Sequence, residues 1–130
     1  MEVEVLTYPN KKQLKPNFYI QVKGLHSGRP IKTPIVNCVA VYSDFPYLFE
    51  IVYLLWNGRK FESDIIGSVV PFIRIDAIKK IIALGLESYR PEKKKLLEKI
   101  NLIDQVVVNH KEQIKLYQRA QMAICAEFLR

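Results

Sequence analysis

From Glu92 to Arg130 the chain contains neither glycine nor proline, and Pro91 stands where such a run would begin. Proline suits the first turn of a helix, where its missing N–H would be unsatisfied anyway, and nothing later in the run stops a helix. The segment 91–130 is therefore expected to be a single helix of about forty residues, some 60 Å long at roughly 1.5 Å per residue. Ile100, Ile103, Val107, His110, Ile114, Tyr117, Gln121 and Ile124 follow one another at alternating spacings of four and three, with Leu96 one step earlier. Six of these eight are apolar or aromatic, while Lys99, Asp104, Glu112, Lys115 and Arg119 lie off the seam. An apolar seam on a charged helix needs another surface to cover it: a second copy, a different protein, or the chain's own body. Leu96, Ile100, Ile103, Val107, His110, Ile114, Tyr117 and Ile124 are the expected helix interface. His110 at a seam position either fixes register, as buried polar residues do in coiled coils, or is an ordinary solvent-facing histidine.

The helix leaves residues 1–90 for a globular domain. An apolar fraction of 49% is enough for one ordinary core. A domain of that size buries only about two thirds of its unfolded surface, so a partner would add to its stability. Glu2 to Thr7 alternates acid and valine in the manner of a half-buried edge strand. Phe18 to Gly24 alternates β-favouring residues and stops at a glycine, and Asn37 to Ser43 is an apolar run between turn formers; both read as strands. Tyr47 to Trp56 is apolar nearly all round and reads as a buried helix, with Ser43-Asp44 as its capping region and Asn57-Gly58 as its stop. Ile66 to Ile75 is expected to be a final strand, at an edge or bulged because Pro71 lacks a donor. Asp76 is the expected N-cap of a short helix from Ala77 to about Leu84, where Ile78, Ile81 and Ile82 recur at helical spacing and Gly85 comes next in the series. The fold class is thus α+β: a small mixed sheet of about four strands, one or two short helices, and a long C-terminal helix.

Twenty Lys and Arg against thirteen Asp and Glu give a net charge of +7. Between Val5 and Ser43 stand Lys11, Lys12, Lys15, Lys23, Arg29 and Lys32 and no acid at all. Such a stretch attracts phosphate, or it is a lysine-rich solvated surface and nothing more. The N-terminal MEVEVLTYPN has neither the apolar run of a signal peptide nor the basic character of a transit peptide. Apolar runs such as Ile51 to Trp56 are far too short to span a bilayer, so a cytoplasmic location without membrane contact is expected. Cys38 and Cys125 lack metal or redox spacing and are expected to be buried fillers, and no metal or cofactor is expected.

No catalytic set is expected either. His26 and His110 belong to no zinc-binding spacing, Ser27-Gly28 lacks the flanks of a nucleophile elbow, and no glycine-rich phosphate cradle occurs. His26 and Ser27 could still meet a distant acid in space. The segment Gly24-Leu-His-Ser-Gly-Arg-Pro-Ile-Lys-Thr-Pro34 lies in a long irregular stretch, Leu25 to Asn37. Its glycines bend the backbone, and Arg29 and Lys32 could reach phosphate or guanine edges. It reads equally as a binding loop and as a proline-stiffened connector.

The order Tyr47-Leu-Phe, Leu54 to Phe61, GSVVPFIRI, a break, and KINLIDQVVVNHKEQIKLYQRAQMAI resembles one half of a type I restriction-modification specificity subunit. There, a target-recognition domain leads into a long helix whose pattern is matched here by Ile100, Ile103-Asp104, Val107, Glu112, Ile114 and Tyr117 to Ala120. The whole chain, with its KGLHSG and GSVVPF segments, is also similar to small uncharacterised bacterial proteins. The first resemblance implies duplex DNA recognition by the globular part, pairing through the helix, and no catalysis. Lys11, Lys12, Lys15, Arg29, Lys32, Arg59 and Lys60 are then the expected DNA contacts. The alternative is a protein interaction adaptor, in which the helix docks on another protein and the basic charge only confers solubility.

Overall fold

The computed structural model describes residues 2–130. They form two compact units, the first ending at Lys94 and the second running from Lys95 to Arg130. In the first, β1 (Val3–Thr7), β2 (Phe18–Gln21), β3 (Pro30–Ile31) and β4 (Cys38–Ser43) make a sheet in the order β1-β4-β2-β3. Every pairing in it is antiparallel, so the small sheet of an α+β fold is present but is not mixed. Helices α1 (Leu48–Asn57) and α2 (Ile75–Ser88) follow, separated by a small hairpin, β5 (Ile65–Ile66) and β6 (Phe72–Ile73). The second unit is made of α3 (Lys94–Phe128) from its second residue on and the two residues after it; one 3-10 turn, Pro91–Lys93, precedes the helix.

Register explains which side chains go where, because successive residues of a strand point to opposite faces. Val5 pairs with Val41, Phe18 with Val41 and Ile20 with Val39. These residues share one face and enter the main core with Leu48 and Val52 of α1 and Ile78, Ile81 and Ile82 of α2. The intervening residues Cys38, Ala40, Tyr42 and Tyr19 form a second cluster on the other face, with Leu6, Tyr8 and Ile31 packed against it. β4 is buried on both faces because it is central, and β1 lies at an edge as its charged outer residues require.

Four local expectations are corrected. The loop after Gly24 contains β3, which is only two residues long and opens on a proline, so no alternation marks it in the sequence. The segment 66–75 is not one strand but two short strands joined by a turn at Gly67, whose φ is +108°. α2 runs past Leu84 to Ser88, and Gly85, next on the face of Ile78, Ile81 and Ile82, is where α1 and α2 meet. A Cβ there would lie 2.8 Å from Ile51 Cγ2 and 2.9 Å from Leu55 Cδ1, so the glycine is used for close approach. Neither short helix has a side-chain cap: the residue before α2 is Arg74, and Asp76 sits in the first turn, where its charge still suits the helix dipole.

Candidate interaction surfaces

The segment from Gln21 to Arg29 is a closed hairpin connection rather than an irregular loop. The Gln21 N–H donates to Arg29 O (3.0 Å), the Gly28 N–H to Gln21 O (2.7 Å) and the Arg29 N–H to His26 O (3.0 Å). Gly24 and Gly28 have φ of +96° and +93°, a region L side chains rarely adopt, and this is what closes the turn. Ser27 is buried, and its hydroxyl donates to Gly24 O (2.7 Å) with Pro71 O at 3.4 Å, so its proton is committed to the backbone. His26 is exposed, with its ring edge toward Trp56 at 6.2 Å. The bend has a structural purpose: Gly28 lies flat against the buried ring of Phe61.

The seven basic residues expected to contact DNA do not gather into one patch. Arg29 pairs with Gln21 across the strands and so lies on the tyrosine face, where its Nη2 donates to Gln21 Oε1 (3.3 Å) and its buried Nε has no partner. Lys12 lies on the same face, ion-paired with Glu4 and over the Tyr42 ring at 4.5 Å. Lys32 is on the opposite face, over the Phe49 ring at 4.5 Å, and Phe49 packs against the main core. These three side chains are engaged in holding the domain together. Lys11 and Lys15 lie on the exposed connection between β1 and β2, and Arg59 and Lys60 follow α1. Among the described residues these four carry no side-chain hydrogen bond or ion pair. Arg59 adopts a φ of +61° while Gly58 has −79°, so the left-handed residue after α1 is the arginine and not the glycine.

Two features of the first unit carried weak sequence signals. The sheet face opposite the helices holds Tyr8 edge-on to Tyr19 (5.0 Å), Tyr42 and the buried Cys38. Burial pushes the Tyr19 hydroxyl above the ordinary tyrosine range, and its neighbour Tyr8 adds to the shift through charge and a hydrogen bond. The alternation of Phe18 to Gly24 and the apolar run Cys-Val-Ala-Val-Tyr were the available clues. The other is an apolar rim on the β5 to β6 hairpin, where Val69 is 91% exposed and Val70 and Phe72 line a shallow groove with Val22, Lys23 and Ile73. GSVVPF looked like strand interior because apolar runs cannot be told from exposed turns by composition.

In α3 the heptad seam is solvent-facing. Ile103 and Ile114 are 56% and 54% exposed, Tyr117 and Ile124 about 70%, and Leu96, Val107 and His110 are exposed as well. Ile100 and Asp104 are half-buried, and Leu97, one position off the seam, is the single buried residue of the helix. Cys125, expected to be buried, is exposed. Lys115 with Glu112 (3.4 Å) and Arg130 with Glu127 (3.3 Å) are i,i+3 pairs at high exposure and contribute only a few tenths of a kcal/mol each at about this spacing.

No described helix is long and apolar enough to cross a membrane. Among the described residues no three of His, Cys, Asp and Glu come together as a metal site would need. What these features define is a two-layer antiparallel α+β domain joined to a long helix with an exposed apolar seam. Residues 5–127 match a family described as a family of unknown function, DUF6943, and the chain belongs to that family. No curated protein and no solved structure matches the chain.

Proposed function

We propose that this chain is a non-catalytic interaction module that associates with another protein surface through the seam of α3. The observation that carries this reading is the exposure of Ile103, Val107, Ile114, Tyr117 and Ile124, members of a seam that advances in alternating steps of three and four. Side chains of this kind gain free energy on leaving water, and at this spacing they lie on one stripe that a second helix can cover. Native mass measurement of the chain isolated from its own cells tests the reading. The expected species is a complex, reduced to the free chain by Ile103→Asp with Ile114→Asp. A wild-type chain recovered as a bare monomer at cellular concentration would refute it.

A second reading, recognition of duplex DNA as in half of a restriction specificity subunit, is favoured by the acid-free stretch from Val5 to Ser43. Lys11, Lys15, Arg59 and Lys60 are its best contacts, since Lys12, Arg29 and Lys32 have roles in the fold. Fluorescence anisotropy with a mixed-sequence duplex at two salt concentrations tests it, because each neutralised phosphate contributes about 0.9 to the slope of log affinity against log salt. Lys11→Glu with Lys15→Glu should flatten that slope by about two contacts. Absence of binding at low salt would remove this reading and leave the association reading untouched.

A further inference from the structure

The seam of α3 matches itself better in one arrangement than in any other. Its core layers are Ile100, Val107, Ile114 and Gln121, alternating with Leu96, Ile103, His110, Tyr117 and Ile124. The positions flanking it are Lys99, Val106, Gln113 and Ala120 on one side and Leu97, Asp104, Lys111, Gln118 and Cys125 on the other. In a parallel pair, a residue of the first flank faces the residue five positions further along in the other helix. Lys99 then faces the second copy's Asp104, twice by symmetry. The remaining flank pairs are Val106 with Lys111, Gln113 with Gln118 and Ala120 with Cys125, so no like charges meet.

The layers give the same answer. In register and in parallel, His110 meets His110 and Gln121 meets Gln121, while every other layer is apolar or aromatic. An antiparallel pair that overlaps the whole seam sets His110 against Ile114 and Gln121 against Ile103 and faces Lys111 with its own copy; it also brings Lys99 to Glu127, which Arg130 already pairs. A polar group buried against an aliphatic one is left without a partner, and like charges repel. The antiparallel stagger that does match His110 with Gln121 leaves Leu96 and Ile100 outside the overlap and loses the Lys99 to Asp104 pair. We infer that α3 pairs with α3 of a second copy, in parallel and in register. This rests on the association reading above and specifies its partner.

Full-length chain carrying Cys125→Ser and Gln121→Cys reports on both points. In the parallel arrangement the two introduced thiols share one layer and form a disulfide under mild oxidation. In the antiparallel stagger that pairs residue 121 with residue 110, the thiols lie about 16 Å apart at roughly 1.5 Å per residue, far beyond bonding reach. Light scattering of the unmodified chain should give twice the chain mass, and Ile103→Asp with Ile114→Asp should return it to one. Val108→Lys, off the seam, should leave the mass doubled. A doubled mass without cross-linking would overturn the parallel arrangement and leave association standing. A single mass at all concentrations would overturn pairing with a second copy, and native mass measurement from cells then decides whether a different protein covers the seam.

Discussion

Gly28→Ala would test whether the turn after β2 is built around Phe61. Gly28 has a φ of +93°, and an added Cβ would lie 2.9 Å from Phe61 Cγ and 3.1 Å from its Cβ and Cδ2. The first effect is backbone strain, about 1–3 kcal/mol for a residue held outside its allowed region. The second is overpacking against a ring that is 1% exposed and cannot swing into solvent, again about 1–3 kcal/mol. The restricted unfolded chain returns about 0.4–1 kcal/mol. The net expected loss is about 1–6 kcal/mol, a large part of the roughly 5–15 kcal/mol that stabilises an ordinary domain. Gly24→Ala is the matched control: its φ is +96°, but the nearest atom to an added Cβ is Gln21 Nε2 at an ordinary 3.4 Å. It should show the strain without the overpacking. Urea unfolding followed by Trp56 fluorescence measures both. Equal losses for the two variants would refute the Phe61 contact as a separate cause, and a Phe61→Leu background should reduce the Gly28→Ala loss more than that of Gly24→Ala.

Other consequences can be measured on the same chain. Gly85→Ala improves helix propensity by about 1 kcal/mol but presses on Ile51 and Leu55, an overpacking cost of about 1–3 kcal/mol, so a lower urea midpoint is expected and a higher one would contradict the close approach. Because the folded Tyr19 hydroxyl is raised, its neutral form is favoured by folding; its stabilisation is whole below about pH 10, the unfolded tyrosine value, and is lost as pH rises from there through the folded value. Tyr19→Phe should therefore flatten the alkaline decline of stability, and an unchanged decline would point to other groups. A thiol reagent should modify the exposed Cys125 at once and the buried Cys38 only on unfolding, which a Cys125→Ser chain with no fast phase would verify.

The elements with strong periodicity were legible from the residues, and those decided by contact were not. The short apolar run Cys38 to Ser43 between turn formers and the unbroken run after Pro91 each made one secondary structure far better than the rest. β3 was hidden because two residues carry no period, and its pairing depends on Gly24 and Gly28 closing the turn. Gly85 continues the helical series of Ile78, Ile81 and Ile82, but the sequence does not show why that position is a glycine; here a neighbouring helix takes the space its side chain would fill. The candidate contacts suffered in the same way. Charge along the chain is one-dimensional, whereas Arg29 and Lys32, three positions apart, lie on opposite faces of the sheet.

That division bears on how the two readings of function differ. A patch made of charge alone needs its members brought together by the fold, and here Lys12, Arg29 and Lys32 are drawn to Glu4, Gln21 and two aromatic rings instead. A seam on a helix needs only the 3.6-residue period, so its members are aligned as soon as the helix forms. Helices in proteins draw little stability from propensity and most from the packing of one face. Exposed i,i+3 pairs such as Lys115 with Glu112 are too weak to replace that packing. Under the proposed association the apolar residues spaced along α3 would both stabilise the helix and make the contact, so the same substitution pair, Ile103→Asp with Ile114→Asp, should lower its helicity and its association together.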